Sequence, residues 1–248
     1  MNWKALSTVG VVLAAVGIGS GVGVAAAADV PVEATIQVGA GETFDGSGDR
    51  YFGAGDLGEG GQGEGQPAMF ELADGATLSN VVIGAPAADG VHCLGSCTLR
   101  NVVWEDVGED AATFLATDPA ATMTIEGGSA SAADDKVFQH NGLGTMIIRN
   151  FAVNDFGKLY RACGNCDTNP QTRHVQLENI TAMAPGTSLA GINVNYGDTA
   201  TFTDITIVGD REMDVCTWYE GVTDGEPTET GSGPSEQCRY DPAAIRYE

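Results

Sequence analysis

Three lysines occur in the 248 residues: Lys4, Lys136 and Lys158. The last two lie 22 residues apart, in Asp134-Asp135-Lys136-Val137-Phe138-Gln139-His140-Asn141-Gly142 and Phe156-Gly157-Lys158-Leu159-Tyr160-Arg161. A chain that nearly avoids lysine has set two of them beside two aspartates and an arginine. Carboxylates gather ahead of the first: Asp89, then Glu105-Asp106-Val107-Gly108-Glu109-Asp110, then Asp134-Asp135. A hard cation such as Ca2+ takes about six to eight oxygen ligands from carboxylates, carbonyls and water. No EF-hand spacing is present, so such a site needs Asp89, the 106–110 cluster and Asp135 brought together from separate segments. The plain alternative is surface acidity. Carboxylates and cations in one groove suit an acidic polysaccharide, with Ca2+ bridging protein and substrate carboxylates while Lys and Arg bind the rest. The reaction that fits is removal of the proton α to a uronate carboxylate, then loss of the glycosidic oxygen. Ca2+ and a cationic side chain would stabilise the enediolate-like charge that develops. A basic side chain in its neutral form, its pKa lowered by neighbouring positive charge, can serve as base.

Such residues need a scaffold that stacks distant segments. Twenty-two residues is roughly one coil of a parallel β-helix, a solenoid of repeated units around a continuous core. Short β-prone segments recur: 77–84, 98–104, 122–125, 145–153, 175–181 and 201–207. Most alternate apolar and polar positions over part of their length, as half-buried strands do. Asn80 and Asn101 lie 21 residues apart, Asn150 and Asn179 29, and Asn179 and Asp204 25, each between short strands. There a side chain that bonds nearby backbone and tolerates the left-handed conformation is favoured. The expected fold is all-β, a right-handed parallel β-helix in a single domain, with a jelly roll or sandwich as the competitor. Residues 211–248, rich in Gly, Pro, Glu and Thr, break the pattern and read as a stapled C-terminal tail over the end or side of the solenoid.

The opening residues read as a secretory signal over 1–28: Lys4, an apolar Val9–Val24 run, then the small residues Ala25–Ala28. The domain proper is expected over 29–248, exported to the extracellular space and monomeric. No second apolar run nears the ~20 residues that span a bilayer. Six cysteines follow, and in an exported chain an even count reads as disulfides. Sequence-local pairing gives Cys93–Cys97, Cys163–Cys166 and Cys216–Cys238, one choice among about 15 connectivities. Net charge is −23, and −24 once Lys4 leaves with the signal. That field repels nucleic acid and anionic membranes, so neither is an expected partner.

The motifs resemble the bacterial, fungal and oomycete pectate lyases of polysaccharide lyase family 3. The resemblance rests on Gly63–Gln66, Phe70–Leu78, Asp89–Cys93, Trp104–Ala112, Ala133–Gly142, Asp155–Cys166, Gly191–Asn193 and Asn195–Thr199. It covers the chain from about Ala34 to the end. It implies a small right-handed parallel β-helix that cleaves polygalacturonate by Ca2+-dependent β-elimination, leaving 4,5-unsaturated ends. Residue by residue it implies Lys136, Lys158 and Arg161 as catalytic cations, with Lys136 or Arg161 as the base and Lys158 on a substrate carboxylate. It implies Asp89, Asp106, Glu109, Asp110 and Asp135 as the acids linked to Ca2+ or substrate. Glu64, His140 and Asn141 are substrate-binding candidates, against the alternative of a histidine that holds a turn. Two rivals stand beside this reading. One is a β-helical glycoside hydrolase using Asp134 and Asp135, weakened because neighbours on a strand face opposite sides. The other is a non-catalytic module that binds acidic polysaccharide.

Overall fold

The computed structural model describes residues 27–58, 63 and 65–248. The three longest strands, Thr122–His140, Gly144–Ala162 and Arg173–Asn193, lie side by side and parallel. Shorter parallel strands extend the stack on both sides, forming a right-handed parallel β-helix.

Like residues stack because each coil repeats the register of the one before. One inward ladder is Phe44, Leu78, Leu99, Ile125, Ile148, Leu177 and Phe202. A second is Ile36, Phe70, Val91, Ala112, Phe138, Tyr160, Ala190 and Cys216. A third is Val38, Leu72, Cys93, Phe114, His140 and Ala162. Nearly all of these side chains are buried, and each large apolar member contributes about 1.5–3 kcal/mol on leaving water.

The recurrent Asn and Asp residues do what their type suggests. Asn80, Asn101, Asn150, Asn179 and Asp204 all sit at φ between 52 and 55°. Their amides bond along the stack, Asn101 Nδ2 to Asn80 Oδ1 at 3.3 Å and Asn179 Nδ2 to Asn150 Oδ1 at 2.8 Å. Between Asn101 and Asn150 the left-handed position is taken by Gly127, at φ 69°. A Cβ there would lie 2.8 Å from Asn101 Oδ1. Glu126 supplies the missing acceptor, taking a hydrogen bond from Asn150 Nδ2 at 2.6 Å.

Cysteines pair as Cys93–Cys97, Cys163–Cys166 and Cys216–Cys238. The C-terminal region departs from expectation. Asp214–Glu220 is a further parallel rung on Arg173–Asn193, with Cys216 against Ala190. Only then does Thr228–Ser232 turn back antiparallel. Val215, Cys216 and Thr217 are buried, so this short apolar run continues the core, and the cover begins after it. The expected signal segment lies outside the described residues except for Ala27 and Ala28. Among the described residues no helix is long and apolar enough to cross a membrane.

Candidate active site

The second inward ladder positions the chemistry. Two residues before Phe138, Tyr160, Ala190 and Cys216 come Lys136, Lys158, Ser188 and Asp214, which are in register with one another. Two residues before Val91 and Ala112 come Asp89 and Asp110. One column on successive coils therefore reads Asp89, Asp110, Lys136, Lys158, Ser188, Asp214, with strands about 4.8 Å apart. One residue after the ladder runs a second column: His92, Thr113, Gln139, Arg161, Gly191 and Thr217. On a straight strand Lys136 and Gln139, three apart, would face opposite sides. Both line the same groove, as do Lys158 and Arg161. Val137 with Phe138, and Leu159 with Tyr160, are consecutive buried pairs, so the chain bends here and the pleat is lost.

Tight turns bring in the carboxylates. A Cβ on Gly90 would lie 2.1 Å from Ala111 O, and one on Gly108 2.1 Å from Ala88 O. Only glycine lets these turns pack so closely. Oxygens of Asp89, Glu109 and Asp110 lie within 4.8 Å of one another, and all three residues are buried. Lys136 Nζ stands 3.6 Å from Asp110 Oδ1, 3.7 Å from Glu109 Oε1 and 2.8 Å from Asp135 Oδ2. Asp135 bridges the two lysines, its Oδ1 being 3.4 Å from Lys158 Nζ. Without it, two like charges on adjacent coils would repel.

Burial, together with repulsion from Glu109 and Asp89, pushes the Asp110 carboxyl up to about 9 against the pull of Lys136. Burial by itself would lower Lys136, but Asp110, Asp135 and Glu109 outweigh it and raise its pKa, so the ammonium stays charged. Burial opposes ionisation of Asp135, yet Lys136 and Lys158 hold it below the usual carboxylate range. Arg161 is lowered by burial and lies under the Tyr219 ring, 3.9 Å from Cζ to centroid.

The three-carboxylate group fits a hard divalent cation. Asp89 Oδ1 and Asp110 Oδ1 are buried without a hydrogen-bond partner, a costly state for carboxylate oxygens, and among the described residues Lys136 alone supplies one positive charge to the Asp110 and Glu109 side of the group. The donors are all oxygen, the set that Ca2+ takes.

Lys136, Lys158, Arg161 and Asp135 share one groove of about 330 Å³, and Asp89, Glu109 and Asp110 adjoin it through Lys136. Asp106 is exposed and is not one of the clustered carboxylates. It precedes the tight turn at Gly108 that carries Glu109 and Asp110 inward. His140 corrects the expectation of substrate contact. It occupies the third inward ladder between Phe114 and Ala162, is 0% exposed, and its Nδ1 meets Tyr160 Oη at 3.0 Å. Asn141 lies past the corner and lines a cavity with Leu115, Leu143 and Gln171, apart from the lysine groove. Glu64 lies outside the described residues.

Groove residues that were not anticipated include Gln139, Asn165, Tyr219 and Glu226. Gln139 was visible in principle as the register partner of Arg161, one coil earlier. Tyr219 belongs to the apolar run 215–219, taken as cover although it has strand composition.

The Asp134 and Asp135 pair does not serve a hydrolase. Asp134 lines another cavity with Asp155 and Phe156, while Asp135 faces the lysines, which keep it ionised and without a proton to give.

His140 also makes a stability prediction. Burial, with Arg173 nearby, pushes the imidazole from 6.5 down to about 3. Between these values the unfolded chain takes a proton that the folded chain refuses. Stability therefore falls as pH drops from about 6.5 toward 3, by at most about 1.4 kcal/mol per pH unit. Urea unfolding at pH 7 and at pH 4.5 is expected to show this loss in the wild type and a smaller one in His140→Phe.

A family model described as pectate lyase matches residues 22–226. "Probable pectate lyase D" of Emericella nidulans is 49% identical over 210 residues, covering 84% of this chain and 78% of that protein. The crystal structure of the catalytic domain of pectate lyase PelI from Erwinia chrysanthemi superposes with a TM-score of 0.74 at 32% identity, covering 89% of this chain and all of that one. PelI in complex with tetragalacturonic acid superposes at 0.73 and 32% identity, covering 88% of this chain and 71% of that one.

Proposed function

Since the chain belongs to the pectate lyase family, and so is a polysaccharide lyase, we propose that this groove cleaves polygalacturonate by β-elimination. The observation that carries the reading is the column Asp89, Asp110, Lys136, Lys158, which sets buried carboxylates next to two lysines on successive coils. The tetragalacturonic acid held by PelI supports the substrate class.

Roles follow from the surroundings of each group. Lys158, the more exposed lysine, pairs with a uronate carboxylate. Lys136, in its neutral form, takes the proton α to that carboxylate; lysine, unlike arginine, can shed its own proton in a protein. Arg161 keeps its charge and, lining the groove, supports the oxygen that gains charge. As the C–H electron pair forms the 4,5 double bond, the C4–O bond breaks and the leaving oxygen collects a proton from solvent. Ca2+ held by Asp89, Glu109 and Asp110, with Asp135 beside them, would neutralise the carboxylates that keep Lys136 protonated and would bind the uronate. Asp135 holds the two lysines in place through both its oxygens.

The described groove residues all come from one chain, which supports a monomer. Three disulfides suit an oxidising, extracellular setting, and we place the enzyme there.

Mass spectrometry of a digested oligogalacturonate tests the reaction type. The two fragments of each cut are expected to sum to the mass of the substrate, one fragment being unsaturated. Fragments that together gain one water would mean hydrolysis and would defeat the proposal.

A further inference from the structure

The Arg161 guanidinium sits in a slot. Tyr219 covers one face. A Cβ on Gly191 would lie 2.8 Å from Arg161 Cδ, and one on Gly164 2.7 Å from Nη2, so both neighbours must lack side chains. Nη1 donates to Ala162 O at 2.6 Å and Asn193 Oδ1 at 3.1 Å, with Gly191 O at 3.5 Å. Asn193 is the one side chain among these acceptors. It ends the strand Arg173–Asn193 and is 0% exposed.

Its amide has one workable orientation. Nδ2 lies 3.1 Å from Asp198 Oδ2 and 3.0 Å from Cys163 O. Both are acceptors, so a flipped amide would set oxygen against oxygen twice while facing Arg161 with a donor. Asp198, also 0% exposed, is itself fixed. Its Oδ2 accepts from Asn193 N at 2.9 Å and its Oδ1 from Arg173 N at 2.8 Å. Cys163, held by its disulfide to Cys166, takes a further hydrogen bond from Asn169 Nδ2 at 3.2 Å. Asn193 is thus held on three sides and presents its fourth polar position, Oδ1, to Arg161.

We propose that Asn193 is a positioning residue of the elimination reaction: backed by Asp198 and Cys163 O, it fixes one edge of the Arg161 guanidinium and so sets how this cation faces the groove. This rests on the reading of Arg161 as the cation that meets developing charge. Anchoring one edge of a planar group fixes where the other edge points, and catalysis that depends on such placement loses about 10²-fold for a misplacement near 1 Å.

The test compares kcat and KM on polygalacturonate for Asn193→Ala, Asn193→Ser and Arg161→Lys, with circular dichroism and melting temperature for each. Serine can still donate a hydrogen bond to Asp198, so the buried carboxylate keeps a partner and the fold is spared. It is too short to place an acceptor at Arg161. Asn193→Ser is expected to lose about 10- to 100-fold in kcat, with KM little changed and the melting temperature near that of the wild type. Asn193→Ala is expected to match it in kcat while melting lower. Arg161→Lys at the wild-type rate would overturn the role of Arg161 and this proposal with it. A slow Arg161→Lys beside an Asn193→Ser of wild-type kcat would overturn the role of Asn193 alone. So would a loss in Asn193→Ser that tracks lost secondary structure and recovers on cooling.

Discussion

Lys136→Ala is expected to lower kcat on polygalacturonate by roughly 10²- to 10⁴-fold, the range that a positioned general base contributes. The more telling variant is Lys136→Arg. It keeps the positive charge between Asp110 and Asp135, so electrostatic support for substrate and fold survives. It cannot become neutral at working pH. If Lys136 acted only as a fixed cation, arginine would restore much of the rate. As the base, it is expected to leave Lys136→Arg almost as slow as Lys136→Ala. Initial rates at saturating substrate, followed across pH, check this. The wild type is expected to gain activity as pH rises through the Lys136 ionisation, and neither variant is expected to show that limb.

The second large effect concerns the buried carboxylates. Asp110→Asn is expected to weaken Ca2+ binding by at least about tenfold, a loss that even residues supporting a metal site typically cause. Isothermal titration of the metal-free protein measures this without reference to turnover. The same substitution is expected to leave the metal-free protein no less stable. Asp110 has its folded pKa raised to about 9, so it adds stability at low pH and loses it as pH rises through that value. Near pH 8 the folded state must hold that carboxyl protonated while the unfolded chain ionises it, a cost that a neutral amide of the same shape does not carry. Weaker binding together with an undiminished melting temperature would mark the cluster as a metal site. A lower melting temperature with unchanged affinity would mark it as a structural ion network around Lys136.

Much of this was legible in the sequence for physical reasons. A β-helix repeats its side-chain environments, so its signals add up. The Asn and Asp residues that recur between strands mark left-handed turns, and Lys136 and Lys158, one coil apart, are register partners. The cysteines could be paired locally because each coil keeps near neighbours in sequence near in space. What failed did so at the corners. His140 shares a motif with Lys136 but falls four residues later, past a bend that puts it on an inward ladder. Nothing in the residue type tells which way the bend turns. Asn141 lies one step farther, in another cavity. Asp106 and Asp110 look alike in sequence, and the tight packing of Gly108 against Ala88 decides that only the later one is buried. Tyr219 was hidden by its neighbourhood: a strand of seven residues followed by Gly- and Pro-rich cover reads as cover throughout.

The most direct test follows the absorbance of the new double bond while polygalacturonate is incubated with chelator-treated enzyme and Ca2+ is then added back. The proposed site predicts no signal in chelator, a signal that appears with Ca2+, and one at least about a hundredfold slower from Lys136→Ala at any Ca2+ concentration. Full turnover in chelator, or reducing ends released without new absorbance, would contradict it.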